Sequence, residues 1–137
     1  MELLRAHGID PAGRRVTVVG RSLVIGRPAA LLLTRADATV TLCHRKTPDL
    51  AARCRDADIL LAAAGAPGPI TADFVRPGQI VLDAGATALP DGTLRGDVAP
   101  DAAAIAACTP VPGGIGSVTT ALLLRHTVQA AENLRHF

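Results

Sequence analysis

Four short apolar runs punctuate the chain, at residues 16–19, 38–43, 57–64 and 79–83, and each ends in a break. The run at 57–64 is nearly continuous in its apolar residues, as befits a strand buried on both faces, and the others read as its parallel neighbours. Helical patterns fill the gaps. Residues 2–7 make one or two amphipathic turns stopped by Gly8. A helix with Pro28 in its first turn is expected to run to about Asp37. Thr47, Pro48 and Asp49 read as N-cap, first helical position and first-turn acid of another helix ending near Asp56. Thr71 can cap a short turn through Val75, Asp91-Gly92 signals a hairpin, and 102–107 reads as a short alanine-rich helix. Residues 108–116 read as a loop, and 117–134 as the longest helix. This alternation predicts one domain over 1–137, of the α/β class: a Rossmann-like, doubly wound, mostly parallel sheet with flanking helices.

The most informative junction follows the first strand. Gly20, Arg21, Ser22, Leu23, Val24 and Ile25 lead to Gly26, and a helix comes next. Strand, glycine-bounded turn and helix is how such folds present backbone N–H groups to phosphate. These glycines stand six apart, so the G-x-G-x-x-G spacing is absent, and the turn taken alone equally fits a tight corner without a ligand. Three more unusual stretches fall at the carboxyl ends of the predicted strands, where ligands bind in parallel sheets. They are 44–47, 65–69 and 83–87. The second strand ends at His44-Arg45-Lys46, where an NAD enzyme ordinarily carries an acid for the ribose 2′-hydroxyl. Cations there, with Arg21 nearby, suit a 2′-phosphate and hence NADP, although a solvated surface pair has the same composition.

Composition narrows the class. Hydrophobic residues make up 49% of the 137, yet there is no Trp or Tyr and only two Phe, so the core must be aliphatic. A net charge of +2 and almost no base-stacking side chains argue against a nucleic-acid partner. No run reaches the length of a membrane span. Three cysteines without C-x-x-C spacing read as small core residues in a reducing, cytoplasmic setting. The aspartates at 56, 58, 83, 91 and 97 show no paired or metal-ligand spacing, and Asp83, ending a buried strand, reads as a structural hydrogen-bonder. No catalytic acid, base or nucleophile and no metal site is assigned from spacing. In Pro112-Gly113-Gly114-Ile115-Gly116, glycines just before a helix suggest a backbone closely approached by a ligand, or a plain loop.

Taken in order, residues 18–33, 38–47, 57–85, 91–98 and 109–124 resemble the NADP-binding domain of the bifunctional methylenetetrahydrofolate dehydrogenase/methenyltetrahydrofolate cyclohydrolase family. The G-R-S-x-x-x-G-x-P turn and the later P-G-G-x-G loop carry the resemblance. It implies cofactor contacts from Gly20, Arg21, Ser22, Val24, Gly26, His44, Arg45, Lys46, Ala64, Gly65, Pro67, Gly85, Ala86 and Thr119. It also implies a folate- and nicotinamide-facing loop of Pro112, Gly113, Gly114, Ile115 and Gly116. A homodimer and tetrahydrofolate derivatives are the expected partners. Two departures from the family stand out: Ala86-Thr87 where Ile-Asn is common, and Ser117 where Pro is common. The family's Tyr-x-x-x-Lys motif belongs to an N-terminal catalytic domain; these residues hold no Tyr and a single Lys, Lys46. The isolated chain is therefore expected not to be competent alone, and to self-associate through leucine-rich faces of its first and last helices. The alternative is a non-catalytic, stand-alone nucleotide-binding or dimerisation module.

Overall fold

The computed structural model describes residues 1–134. Its elements run α1 (Glu2–Ala6), β1 (Arg15–Val19), α2 (Gly26–Thr34), β2 (Thr39–Cys43), α3 (Leu50–Arg55), β3 (Ile59–Ala62), a 3₁₀ turn (Ala72–Phe74) and β4 (Ile80–Asp83). There follow β5 (Thr87–Ala88), β6 (Leu94–Arg95), α4 (Pro100–Ala103), β7 (Ala107–Cys108) and α5 (Ile115–Leu134). Five strands form one parallel sheet in the order β2-β1-β3-β4-β7, and β5-β6 form a separate antiparallel hairpin. From β1 the chain steps outward to β2, then returns to the other side of β1 as β3. That reversal puts the topological switch point between β1 and β3.

Both faces of the sheet are covered, and the period of two along each strand divides the core. Val16, Val18, Ile59, Leu61 and Leu82 pack with Leu4 of α1 and Leu33 of α2. Val19, Leu60, Ala62 and Val81 pack with Cys54 of α3, Ile70, Val75 and Ala102 of α4. Thr17 is polar in this second layer, and its hydroxyl donates to the Arg53 carbonyl at 2.9 Å. At the amino end of the sheet the buried Gln79 amide donates to the carbonyls of Cys54 and Ala57, closing the end of α3.

The α/β, doubly wound expectation holds, with local corrections. Thr47 does not cap α3. Its hydroxyl accepts the His44 N–H at 2.9 Å and ties the 44–47 turn, so the helix starts later, after a left-handed Asp49. Thr71 makes no side-chain cap either; the Asp101 carboxylate takes the Ala72 N–H instead. The alanine-rich helix is α4, beginning at Pro100, and Ala107-Cys108 form an edge strand beside β4. The first helix is not exposed as expected, because Leu4 is buried against the sheet. The last helix is: among the described residues α5 buries none, and Leu123, Leu124 and Val128 are each more than half exposed.

Candidate cofactor site

The carboxyl ends of β1, β2, β3 and β4 converge because the parallel ladder continues past the strands. Gly20 donates its N–H to the Cys43 carbonyl at 2.9 Å, Ala63 to Val19 at 2.8 Å and Ala84 to Ala62 at 2.8 Å. Gly20 adopts φ +122, and a Cβ there would overlap the Ala63 carbonyl. A Cβ on Gly26 would overlap the Gly20 carbonyl. The two glycines thus pack on one another, which brings the start of α2 directly onto the end of β1. Ser22 closes the turn: its hydroxyl oxygen accepts the N–H of Ile25 at 3.1 Å and of Gly26 at 3.4 Å. Among the described residues the N–H groups of Arg21, Ser22, Leu23 and Val24 have no protein partner. Four consecutive free donors at the amino end of a helix make a surface for an anion.

The neighbouring tip is a hydrogen-bonded turn. Thr47 N–H donates to the His44 carbonyl, and Lys46 N–H donates to His44 Nδ1 at 3.1 Å. His44 is thereby a turn-forming residue, and the turn leaves Arg45 and Lys46 exposed beside the end of β1. Arg21 is exposed on the facing turn. Thr119 of α5 meets this region through a groove of about 220 Å³ that it lines with Ile25, Ala29, Ala84 and Ile115. Gly113 and Gly114 border a different groove, of about 360 Å³, with Leu3, His7, Ile80 and Cys108. Ile25, Ala84, Ile115 and Thr119 thus meet in one groove, which Leu3 and Leu4 of α1 also line, while the 44–47 turn adjoins Gly20 through Cys43. Pro112 follows a cis peptide bond.

The pairing of two aspartates escaped the spacing argument. Asp83 and Asp97 are 4% and 0% exposed, and the Asp97 N–H donates to Asp83 Oδ1 at 2.9 Å. Asp83 also takes the N–H of Gly85 at 2.9 Å and of Val98 at 2.9 Å. Asp97 takes the N–H groups of Ala64, Gly65 and Ala66. The signal in the sequence is a glycine close to each acid, Gly85 two residues after Asp83 and Gly96 just before Asp97. A Cβ on Gly85 would overlap Asp97, and one on Gly96 would overlap the Asp83 carboxylate. Burial pushes the Cys54 thiol up to about 12, and burial with the nearby Asp83 charge pushes Cys108 up to about 11. No group of three or more His, Cys, Asp or Glu able to hold a metal occurs among the described residues. Nor is any helix among them long and apolar enough to cross a membrane.

A five-stranded parallel sheet with open N–H groups at its switch point defines a doubly wound α/β domain of the dinucleotide-binding class. Over residues 1–135 the chain matches the family described as tetrahydrofolate dehydrogenase/cyclohydrolase, NAD(P)-binding domain, and it belongs to that family. Bifunctional protein FolD 1 of Rhodococcus jostii is 62% identical over 133 residues, covering 94% of this chain and 44% of that protein. Bifunctional protein FolD of Chloroflexus aurantiacus is 57% identical, covering 95% and 46%. Among solved structures, the bifunctional FolD dehydrogenase/cyclohydrolase of Campylobacter jejuni superposes with a TM-score of 0.92 at 42% identity, covering 97% of this chain and 48% of that one. The Trypanosoma brucei FolD, solved with NADP and an inhibitor, gives 0.84 at 44% identity, covering 93% and 46%. The chain spans about half the length of the curated relatives it matches.

Proposed function

We propose that this chain is the NADP-binding part of a methylenetetrahydrofolate dehydrogenase/methenyltetrahydrofolate cyclohydrolase. The observation that carries the reading is the row of free N–H groups at 21–24, set at the switch point by the Gly20–Gly26 contact. Those donors, with Ser22 and Val24 in the turn, hold the two bridging phosphates. Arg45, Lys46 and Arg21 meet the 2′-phosphate, and His44 shapes the tip that carries them. Ala64, Gly65, Pro67, Gly85, Ala86 and Thr119 flank the rest of the cofactor, and residues 112–116 present backbone to the folate. When bound, NADP supplies the hydride acceptor: hydride leaves the methylene carbon of methylenetetrahydrofolate, and water then hydrolyses the methenyl product.

These residues contribute binding and orientation. With no Tyr and one Lys, they hold no Tyr-x-x-x-Lys motif. The isolated chain binds NADP and turns over neither step, because orientation of both reactants supplies much of such a rate. The exposed leucines of α5 support self-association as a homodimer, and three unpaired thiols accord with a cytoplasmic setting. Calorimetric titration with NADP and, separately, NAD tests the reading. Micromolar NADP binding with NAD much weaker is expected; absence of binding by either contradicts it.

A further inference from the structure

The loop that leaves β3 points three consecutive N–H groups, those of Ala64, Gly65 and Ala66, at one spot. Gly65 sits in the left-handed region at φ +72, which curls the segment into a concave nest. Such nests are anion sites. Here the anion is part of the chain. Asp97 Oδ2 accepts from Ala64 and Gly65, and Oδ1 accepts from Ala66 at 3.2 Å. Asp97 is fully buried, and no Lys or Arg among the described residues pairs with it or with Asp83. Its position is set in turn by Asp83, which takes the N–H groups of Asp97 and Val98. The fit is close on the Gly85 side, where even a methyl group would overlap Asp97.

This nest lies beside the open one. The Ala63 carbonyl, one residue before it, is the group that Gly20 packs against. A phosphate arriving at the switch point therefore meets two glycine turns, only one of which has donors to offer. We propose that Asp97 is a positioning residue for the cofactor. By filling the 64–66 nest it holds that loop as a rigid wall and withholds its donors. The bridging phosphates are thereby confined to 21–24, and the loop faces a non-phosphate portion of the cofactor. Asp97 touches no reactant; it acts through the backbone of Ala64, Gly65 and Ala66. The inference rests on the NADP reading above.

The test compares Asp97→Asn with Gln79→Leu in the full chain. Both remove buried hydrogen bonds, but Gln79 lies at the opposite end of the sheet. Asp97→Asn turns an N–H donor toward the nest and is expected to weaken NADP at least tenfold. Gln79→Leu is expected to lower the melting temperature comparably while leaving NADP affinity within twofold. Wild-type chain that fails to bind NADP overturns the reading itself. Wild-type chain that binds, with Asp97→Asn binding equally well, overturns only the inference. Should Asp97→Asn not fold, amide hydrogen exchange in the wild-type chain decides. Protection of the Ala64, Gly65 and Ala66 amides at the level of β3 supports the anchoring, and exchange at the rate of an exposed loop overturns it.

Discussion

Two glycine-bounded turns leave adjacent strands at the switch point, and they use their backbone donors in opposite ways. After β1, Ser22 satisfies the N–H groups of Ile25 and Gly26, while those of 21–24 stay free. After β3, the corresponding donors are all taken by Asp97. One turn leaves its donors open and the other closes them on a carboxylate of the chain itself. A buried polar group without a partner is costly, so the donors left open must face solvent or a ligand, whereas those facing the core carry their own acceptor. The contrast shows that a glycine turn at a strand end is not by itself a phosphate site. What decides is whether the chain brings a carboxylate to it.

The largest expected effect comes from closing the open turn. Gly20→Ala places a methyl group into the Ala63 carbonyl at a φ that L residues avoid, and should cost about 3 kcal/mol in chemical denaturation. It should also abolish NADP binding in calorimetry. Disturbing the closed turn from behind is next. Asp83→Asn leaves one backbone N–H of its set facing another donor, which should cost about 2 kcal/mol. Charge on the open side is smaller still. Arg45→Ala should weaken NADP about tenfold and leave NAD unchanged, the worth of one charge-assisted contact. Equal loss for both cofactors would remove Arg45 from the 2′-phosphate site.

Ser22→Ala should lower stability by about 1 kcal/mol, the ordinary net worth of a hydrogen bond that closes a turn. The last effect is absent at neutral pH and appears only in alkali. Burial raises Cys54 from 9.0 to about 12. The unfolded thiol therefore ionises first, so stability is full below pH 9 and falls as pH climbs toward 12. Urea midpoints should be flat from pH 7 to pH 8.5 and decline above pH 9, with a shallower decline in Cys54→Ala.

β1, β3 and β4 were legible because burial on both faces makes them nearly continuous apolar runs, and the open turn because Gly20 and Gly26 bracket it. β7 was not, since Ala107-Cys108 sit inside an alanine-rich run and become a strand only by pairing with β4. Thr47 misled because a hydroxyl before Pro serves a tight turn as well as a helix cap. The closed turn was invisible for a different reason. Asp97 and the loop it fills are separated by the β4 strand and the β5-β6 hairpin, so no local spacing joins them. The exposed leucine face of α5 was legible as well, and Leu123, Leu124 and Val128 are each more than half exposed. An amphipathic stripe shows that a face wants covering, not what covers it.

The most direct measurement is an amide-resolved NMR titration of the chain with NADP. The account predicts the largest shifts at the N–H groups of Arg21, Ser22, Leu23 and Val24, with the amides of Ala64, Gly65 and Ala66 remaining protected from exchange throughout. Shifts concentrated at 64–66 with loss of that protection, or none at 21–24, would contradict it.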